Sequence, residues 1–232
     1  MKNGEEILVL DHGYVRYIEH WGSEERIIEA ARMSTNKGFQ GWETDEKLLK
    51  YLYTHKHMTP FEMAGLVIEV KAPIFVFREW HRHRTQSHNE MSARYIPLPN
   101  ENYTPLEEHV YARSALSAGA QNRQSAGGRA CTTEETRTWL AHLEQFYADA
   151  QQLYEEGLGF GVPKELARLV TPVGRYSRMR ASANLRNWLQ FLTLRCDEHA
   201  QWEIRQYAEA VASVLRTLFP RTLKLWVDDV NR

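Results

Sequence analysis

Between Arg78 and Tyr95 the chain reads REWHRHRTQSHNEMSARY. Arg82, Arg84 and Arg94 supply three guanidinium groups there, His81, His83 and His88 three imidazoles, and Glu79 and Glu90 the only acids. Gln86, Ser87, Asn89 and Ser92 interleave as neutral hydrogen-bonding groups. Guanidinium forks bind phosphate oxygens in pairs, so this density of arginine with neutral donors suits a phosphorylated ligand. The stretch has almost no apolar period and is read as a polar segment embedded in a folded domain. It follows an apolar run and precedes Tyr95-Ile96-Pro97-Leu98.

Other chemistries fit less well. His55-x-His57 and His81-x-His83 have the two-residue spacing of metal ligands on a strand. Neither pair has an acidic or cysteine partner at the usual spacing, however, and Arg82 and Arg84 flank the second with fixed positive charge, so no metal is assigned. Cys131 and Cys196, the only two cysteines, form neither a disulfide framework nor a nucleophile motif with a basic histidine. Cys196 falls on a core stripe. Gly157-x-Gly159-x-Gly161 follows a helix and lacks the final spacing of a dinucleotide turn. RNA binding, for which the basic stretch and its aromatic neighbours would serve, sits poorly with Glu79, Glu90 and a formal net charge of −1.

The elements that must position these residues are legible in outline. The 232 residues are 43% hydrophobic and 25% charged, enough for a real core in one domain spanning residues 1–232. No apolar run approaches membrane-spanning length, and the chain reads as a cytoplasmic soluble protein. Glu6–Leu10 and Gly13–Ile18 form a hairpin, Ser23 caps a helix through about Arg32, and a second helix runs from Asp45 to about His55. Thr59-x-x-Glu62 with Pro60 has the form of a capping box. Gly65–Lys71 alternates as a strand, after which Pro73 opens a helix that delivers the Arg/His stretch at its C-terminal end. The pattern decays from Asn100 to Arg129, and Ser117–Arg129 reads as a loop. Thr132 caps a long helix to about Glu156, with Trp139, Leu143, Phe146, Tyr147, Ala150 and Tyr154 as its apolar stripe. Pro163 starts a short helix containing Arg168, and Tyr176–Ala183 is a strand. In the helix Asn184–Arg195, Leu185, Trp188, Leu189 and Leu192 face the core, while Asn184, Phe191 and Arg195 share a different face. A last helix from about Glu198 to Leu218 is stopped by Pro220. The fold class is α+β, a small mostly antiparallel sheet packed with several helices.

Arg82-His83-Arg84-x-x-Ser87-x-Asn89-x-x-Ser92-x-Arg94 resembles the signature RHRxxSxNxxSxR of the flavin-dependent thymidylate synthases. Three further blocks are similar to that family in the same order. They are His57-x-Thr59-Pro60-Phe61-Glu62, Gly161-Val162-Pro163 through Ala167-Arg168, and Asn184-x-Arg186 through Arg195-x-x-x-His199-Ala200-Gln201-Trp202-Glu203. The resemblance implies methylation of dUMP to dTMP, with methylenetetrahydrofolate as carbon donor, FAD as hydride carrier and NADPH as reductant. It also implies a homotetramer with shared active sites, and no nucleic acid or membrane partner.

Carried over by position, it implies that Thr59, Arg82, His83, Arg84, Glu90, Asn184, Arg186 and Gln190 hold FAD. Glu79, Arg82, Glu90, Ser92, Arg94, Arg168 and Arg195 would belong to dUMP. Arg195 would be catalytic, stabilising negative charge on the pyrimidine. Two positions depart from the family pattern, Glu79 where glutamine is common and Gln190 where asparagine is common. The alternative is a flavin-free nucleotide- or RNA-binding module that uses the same arginine-rich stretch.

Overall fold

The computed structural model describes residues 1–118 and 129–230. The chain divides into two compact units, Met1–Met91 with Ser177–Arg232, and Ser92–Tyr176. Among the described residues no helix is long and apolar enough to cross a membrane.

The first unit is built on the larger part of a five-stranded antiparallel sheet in the order β1-β2-β3-β5-β4. Strands β1 (Glu6–Val9) and β2 (Gly13–Trp21) form the expected hairpin, with Val9 opposite Gly13. Strand β3 (Gly65–Pro73) pairs with β2 through a register shift between Tyr17 and Glu19. Leu66, Ile68, Val70 and Ala72 alternate along β3 and are fully buried, because successive side chains of a strand point to opposite faces. Gly65 must be glycine: a Cβ there would lie 2.6 Å from the Ala183 carbonyl and 2.1 Å from the Trp21 ring. Three helices cover the buried face: α3 (Ile74–Trp80), α7 (Leu185–Arg195) and α8 (Trp202–Leu218). Trp188 of α7 is fully buried and donates its indole N–H to Leu66 O at 3.0 Å, so its bulk enters the core without an unpaired donor. Helices α1 (Glu24–Ala31) and α2 (Trp42–Thr54) complete the N-terminal half. Ser23 caps α1 as expected, accepting from Arg26 N, whereas α2 starts three residues earlier than its pattern predicts.

Further differences from the sequence-based expectation lie in this unit. Ser87–Glu90 is a strand, β4, paired antiparallel with β5 (Tyr176–Asn184) at the edge of the sheet. An edge strand makes its backbone bonds to one neighbour and needs no apolar face, so the usual alternation is missing. Phe191 lies in the core, fully buried with its ring 4.6 Å from Trp80, so the face it was expected to share with Asn184 and Arg195 is not separate from the core. Helix α7 is apolar over a wider arc than a single stripe. Finally, Pro220 opens a further helix, α9 (Pro220–Val230), because proline suits a first helical turn as well as it ends a helix. The buried Glu24 carboxylate receives the Thr222 N–H at 2.6 Å and ties the start of α9 to α1.

The second unit is helical. Helix α4 (Glu107–Ala118), absent from the sequence reading, precedes α5 (Thr133–Gly159). The predicted capping box is present: Thr132 Oγ1 accepts from Glu135 N at 3.1 Å and Glu135 Oε2 accepts from Thr132 N at 2.8 Å. Helix α5 runs past Gly157, and two of its predicted stripe residues, Trp139 and Phe146, are half exposed while Ala150 and Tyr154 are buried. Of the segment expected to be a loop, Ser117 belongs to α4 and Arg129 pairs with Glu135; residues 119–128 lie outside the described residues. Helix α6 (Lys164–Ala167) follows Pro163 and gives way to a 3-10 turn, Arg168–Val170. Arg175, almost fully buried, joins Pro99 O, Asn102 Oδ1 and Gln151 Oε1.

Candidate functional site

Helix α7 carries candidate residues at both ends. Arg195 is its last residue, and all three of its side-chain nitrogens are engaged by the α3 end and the turn after it. Nε donates to His83 Nε2 at 2.8 Å, Nη1 to Glu79 Oε2 at 2.8 Å, and Nη2 to Glu79 O at 2.9 Å. Glu79 sits in the last turn of α3, and His83 N donates to Trp80 O, so one tight turn presents both partners. The His83 ring is 8% exposed and meets Phe191 edge-on, 4.9 Å between centroids. Burial, then the adjacent Arg195 and His88, push its pKa down to about 4. The imidazole is therefore neutral, and because Arg195 Nε–H can only donate, His83 Nε2 is the acceptor and its ring proton belongs on Nδ1.

At the other end of α7, Asn184 is the N-cap and accepts from Asn187 N at 3.0 Å. Arg186 donates to Glu62 at 2.5 Å, and Asn187 Nδ2 to Thr85 O at 3.0 Å. These bonds bring the Thr59–Met63 turn and the turn after His83 to the start of α7. The predicted capping box at Thr59 does not form. Thr59–Met63 is a 3-10 turn with no side-chain cap, and its Glu62 carboxylate binds Arg186 instead. Thr59 is left exposed, and Arg186 and Gln190 are exposed one turn apart on the same face of α7.

The R-H-R triplet alternates in exposure: Arg82 and Arg84 are exposed on either side of the buried His83. Neither arginine has an acidic partner among the described residues. Glu90, at the end of β4, lies 3.8 Å from His81, whose ring centroid is 5.2 Å from that of His88. Burial and His81 lower the His88 pKa. Gln86 is buried, its Oε1 takes the Trp80 indole N–H at 2.9 Å, and its Nε2 has no partner. A cleft of about 540 Å³ opens over β4 and β5, lined among others by Ser87, Asn89, Arg178, Arg180 and Ser182.

Ser92, Arg94 and Arg168 belong to the second unit. Ser92 Oγ accepts from Arg94 N at 3.3 Å. Arg94 Nε pairs with Glu165 Oε2 at 3.0 Å and Arg168 Nε approaches Glu165 O at 3.4 Å, so one residue gathers both arginines. Sequence reasoning missed the partners rather than the cations. Glu62, Glu165 and Asn187 bond to site residues, and although each stands inside one of the similar blocks, spacing alone did not mark it as a partner; the spacing of Glu62 from Thr59 mimics a cap. Burial pushes the Cys196 thiol up to about 12, while Cys131, whose Sγ lies 3.2 Å from Thr136 Oγ1, has its pKa lowered by the Ser114 and Thr136 hydroxyls.

A family model described as "Thymidylate synthase complementing protein" matches residues 16–221. The flavin-dependent thymidylate synthase of Ruegeria pomeroyi is 42% identical over 224 residues, 95% of this chain and 72% of that one. The enzyme of the same name from Thermosipho melanesiensis is 38% identical over 222 residues, 94% of this chain and 92% of that one. Among solved structures, the UMP/dUMP methylase PolB of Streptomyces cacaoi bound with 5-Br dUMP superposes with a TM-score of 0.83. It is 29% identical, covering 96% of this chain and 97% of that one.

Proposed function

The chain belongs to the flavin-dependent thymidylate synthases, and from that premise we propose that it methylates dUMP at uracil C5 to give dTMP. Methylenetetrahydrofolate is the carbon donor, FAD the hydride carrier and NADPH the reductant in this reading. The observation that carries it is the fixed guanidinium of Arg195, held at three points by Glu79 and His83. A preorganised cation that cannot lose its proton stabilises negative charge developing on the pyrimidine at O2 and N3. That raises electron density at C5, which would bond to the folate methylene as a methylene C–N bond breaks, its electron pair passing to the folate nitrogen; C5 then gives up its proton, and no cysteine adduct is needed.

The residues present fit an anionic dinucleotide cofactor. Arg82 and Arg84 are exposed guanidiniums with no carboxylate partner among the described residues, and Asn184 and Gln190 add amide groups from α7. Thr59, Arg82, Arg84, Asn184, Arg186 and Gln190 would hold FAD, and Glu90 would stand where flavin and nucleotide meet. The chemistry bound FAD supplies is hydride donation. Arg94 and Arg168 would bind the dUMP phosphate, for which Glu165 keeps them together until the dianion competes for them. Ser92 orients the nucleotide. The working assembly is a cytoplasmic homotetramer with shared active sites.

The test is a spectroscopic titration of the purified protein with FAD, then with dUMP and NADPH, with and without methylenetetrahydrofolate, and product analysis for dTMP. UMP is run in parallel because the Streptomyces neighbour is a UMP/dUMP methylase. A colourless protein that takes up no FAD, or one that binds RNA tightly and leaves dUMP unchanged, refutes the proposal.

A further inference from the structure

We propose that His83 is a positioning residue for Arg195: its imidazole accepts the Nε–H, leaving one N–H on each terminal guanidinium nitrogen for the pyrimidine. The proposal rests on the dUMP-methylation reading above and replaces the role in flavin binding that the resemblance implies for this histidine.

The donor count leads to it. Arginine has five N–H donors in a rigid fork. Three are taken, one by His83 Nε2 and two by the carboxylate and carbonyl oxygens of Glu79. One remains on Nη1 and one on Nη2, a pair suited to two adjacent acceptors such as O2 and a negatively charged N3. Without His83 the Nε–H would turn towards water or a different acceptor, and the fork would lose one of the points that set its plane.

Burial separates His83 from its neighbours in the triplet. Arg82 and Arg84 are exposed, while His83 is 8% exposed, wedged edge-on against Phe191 and anchored through its backbone to Trp80 O. Turning the ring outwards to meet a cofactor would break the Arg195 bond and open the packing against Phe191. The triplet thus has an alternating logic, with two cations presented outwards on either side of an acceptor facing inwards.

The residue type also matters. Glu79 already places one negative charge against Arg195. A second carboxylate at position 83 would cancel more of the positive field that the pyrimidine needs, whereas a neutral imidazole accepts the bond and adds no charge. The charged and titratable groups facing His83 are Arg195 from α7, Glu79 from α3 and His88 from β4. Arg195 and burial both disfavour the imidazolium, which would set donor against donor.

Two His83 variants of the holoenzyme, and nitrogen NMR of the wild type and of Arg195→Ala, test this. In His83→Leu, kcat per bound flavin falls about 10²-fold, the cost of a catalytic group misplaced by about 1 Å, while flavin stoichiometry stays at the wild-type value. His83→Gln, whose amide oxygen can accept the same bond, recovers most of that loss and removes the acid limb that His83 protonation gives the wild-type kcat profile. By nitrogen NMR the His83 ring is the Nδ1–H tautomer at neutral pH, and its pKa rises in Arg195→Ala. Flavin loss in both variants with unchanged turnover per bound flavin would make His83 a cofactor ligand and overturn the proposal. An Nε2-protonated ring, or a pKa indifferent to Arg195, would overturn it as well. A wild-type protein that shows the NMR signature but makes no dTMP would instead refute the dUMP reading on which the catalytic half of the proposal rests.

Discussion

Replacing Arg195 by alanine should separate catalysis from folding. The side chain makes three hydrogen bonds, and their removal has unequal consequences. Glu79 is 42% exposed at its side chain, so water takes over its carboxylate and the lost ion pair costs about 0–1 kcal/mol. His83 Nε2, on a ring 8% exposed, is left as a buried acceptor without a donor, which costs about 1–3 kcal/mol. Stability should therefore fall by about 1–4 kcal/mol, a shift visible in the urea midpoint. Catalysis should fall further. Removing one preorganised donor from a developing anion lowers kcat by about 10²–10³, or about 2.7–4 kcal/mol. The assay is dTMP formed per bound flavin at saturating dUMP, with unfolding followed in parallel. Flavin retention with that loss of turnover supports the argument. Turnover within about tenfold of wild type, a difference of about 1.4 kcal/mol in barrier, would refute it, because among the described residues no other cation is bonded to both Glu79 and His83.

Three other outcomes are expected. Because the His83 pKa in the folded protein, about 4, lies below its ordinary value of about 6.5, the unfolded chain takes up the proton first as pH falls. Stability should decline from about pH 6.5 towards 4 and change little from this group below that, with a shallower decline in His83→Gln; equal slopes in urea titrations across that range would contradict it. Asn184→Ala removes the N-cap bond to Asn187 N and should cost about 1 kcal/mol in urea unfolding, while Asn184→Ser restores it. If the serine variant is no more stable than the alanine variant, the cap is not what Asn184 contributes. At pH 8 a thiol reagent should label Cys131, whose pKa the Ser114 and Thr136 hydroxyls lower, well before Cys196, whose thiol burial raises to about 12; equal labelling rates would show that Cys196 is not shielded.

What the sequence determined by itself is local. Apolar alternation set the buried face of β3, Ser23 and Thr132 marked helix starts, and the spacing of Leu185, Trp188, Leu189 and Leu192 marked the core side of α7. These signals are legible because a cap or a periodic face is decided within a few residues. The cations themselves were equally visible, since no core element carries so many.

Tertiary structure decided the partners. Thr59 and Glu62 have the spacing of a capping box, yet Glu62 binds Arg186, 124 residues away, because a paired guanidinium holds a carboxylate better than a backbone N–H on a one-turn helix. Ser87–Glu90 became a strand only because β5 supplied the other half of its backbone bonds. His83 could be read from its neighbours only as one more polar residue in a phosphate-binding stretch. Its burial, and with it its neutrality and its hold on Arg195, come from Phe191 and α7 across 112 residues of chain. Desolvation is a property of everything packed around a group, so the protonation state of that imidazole is not written in the residues beside it.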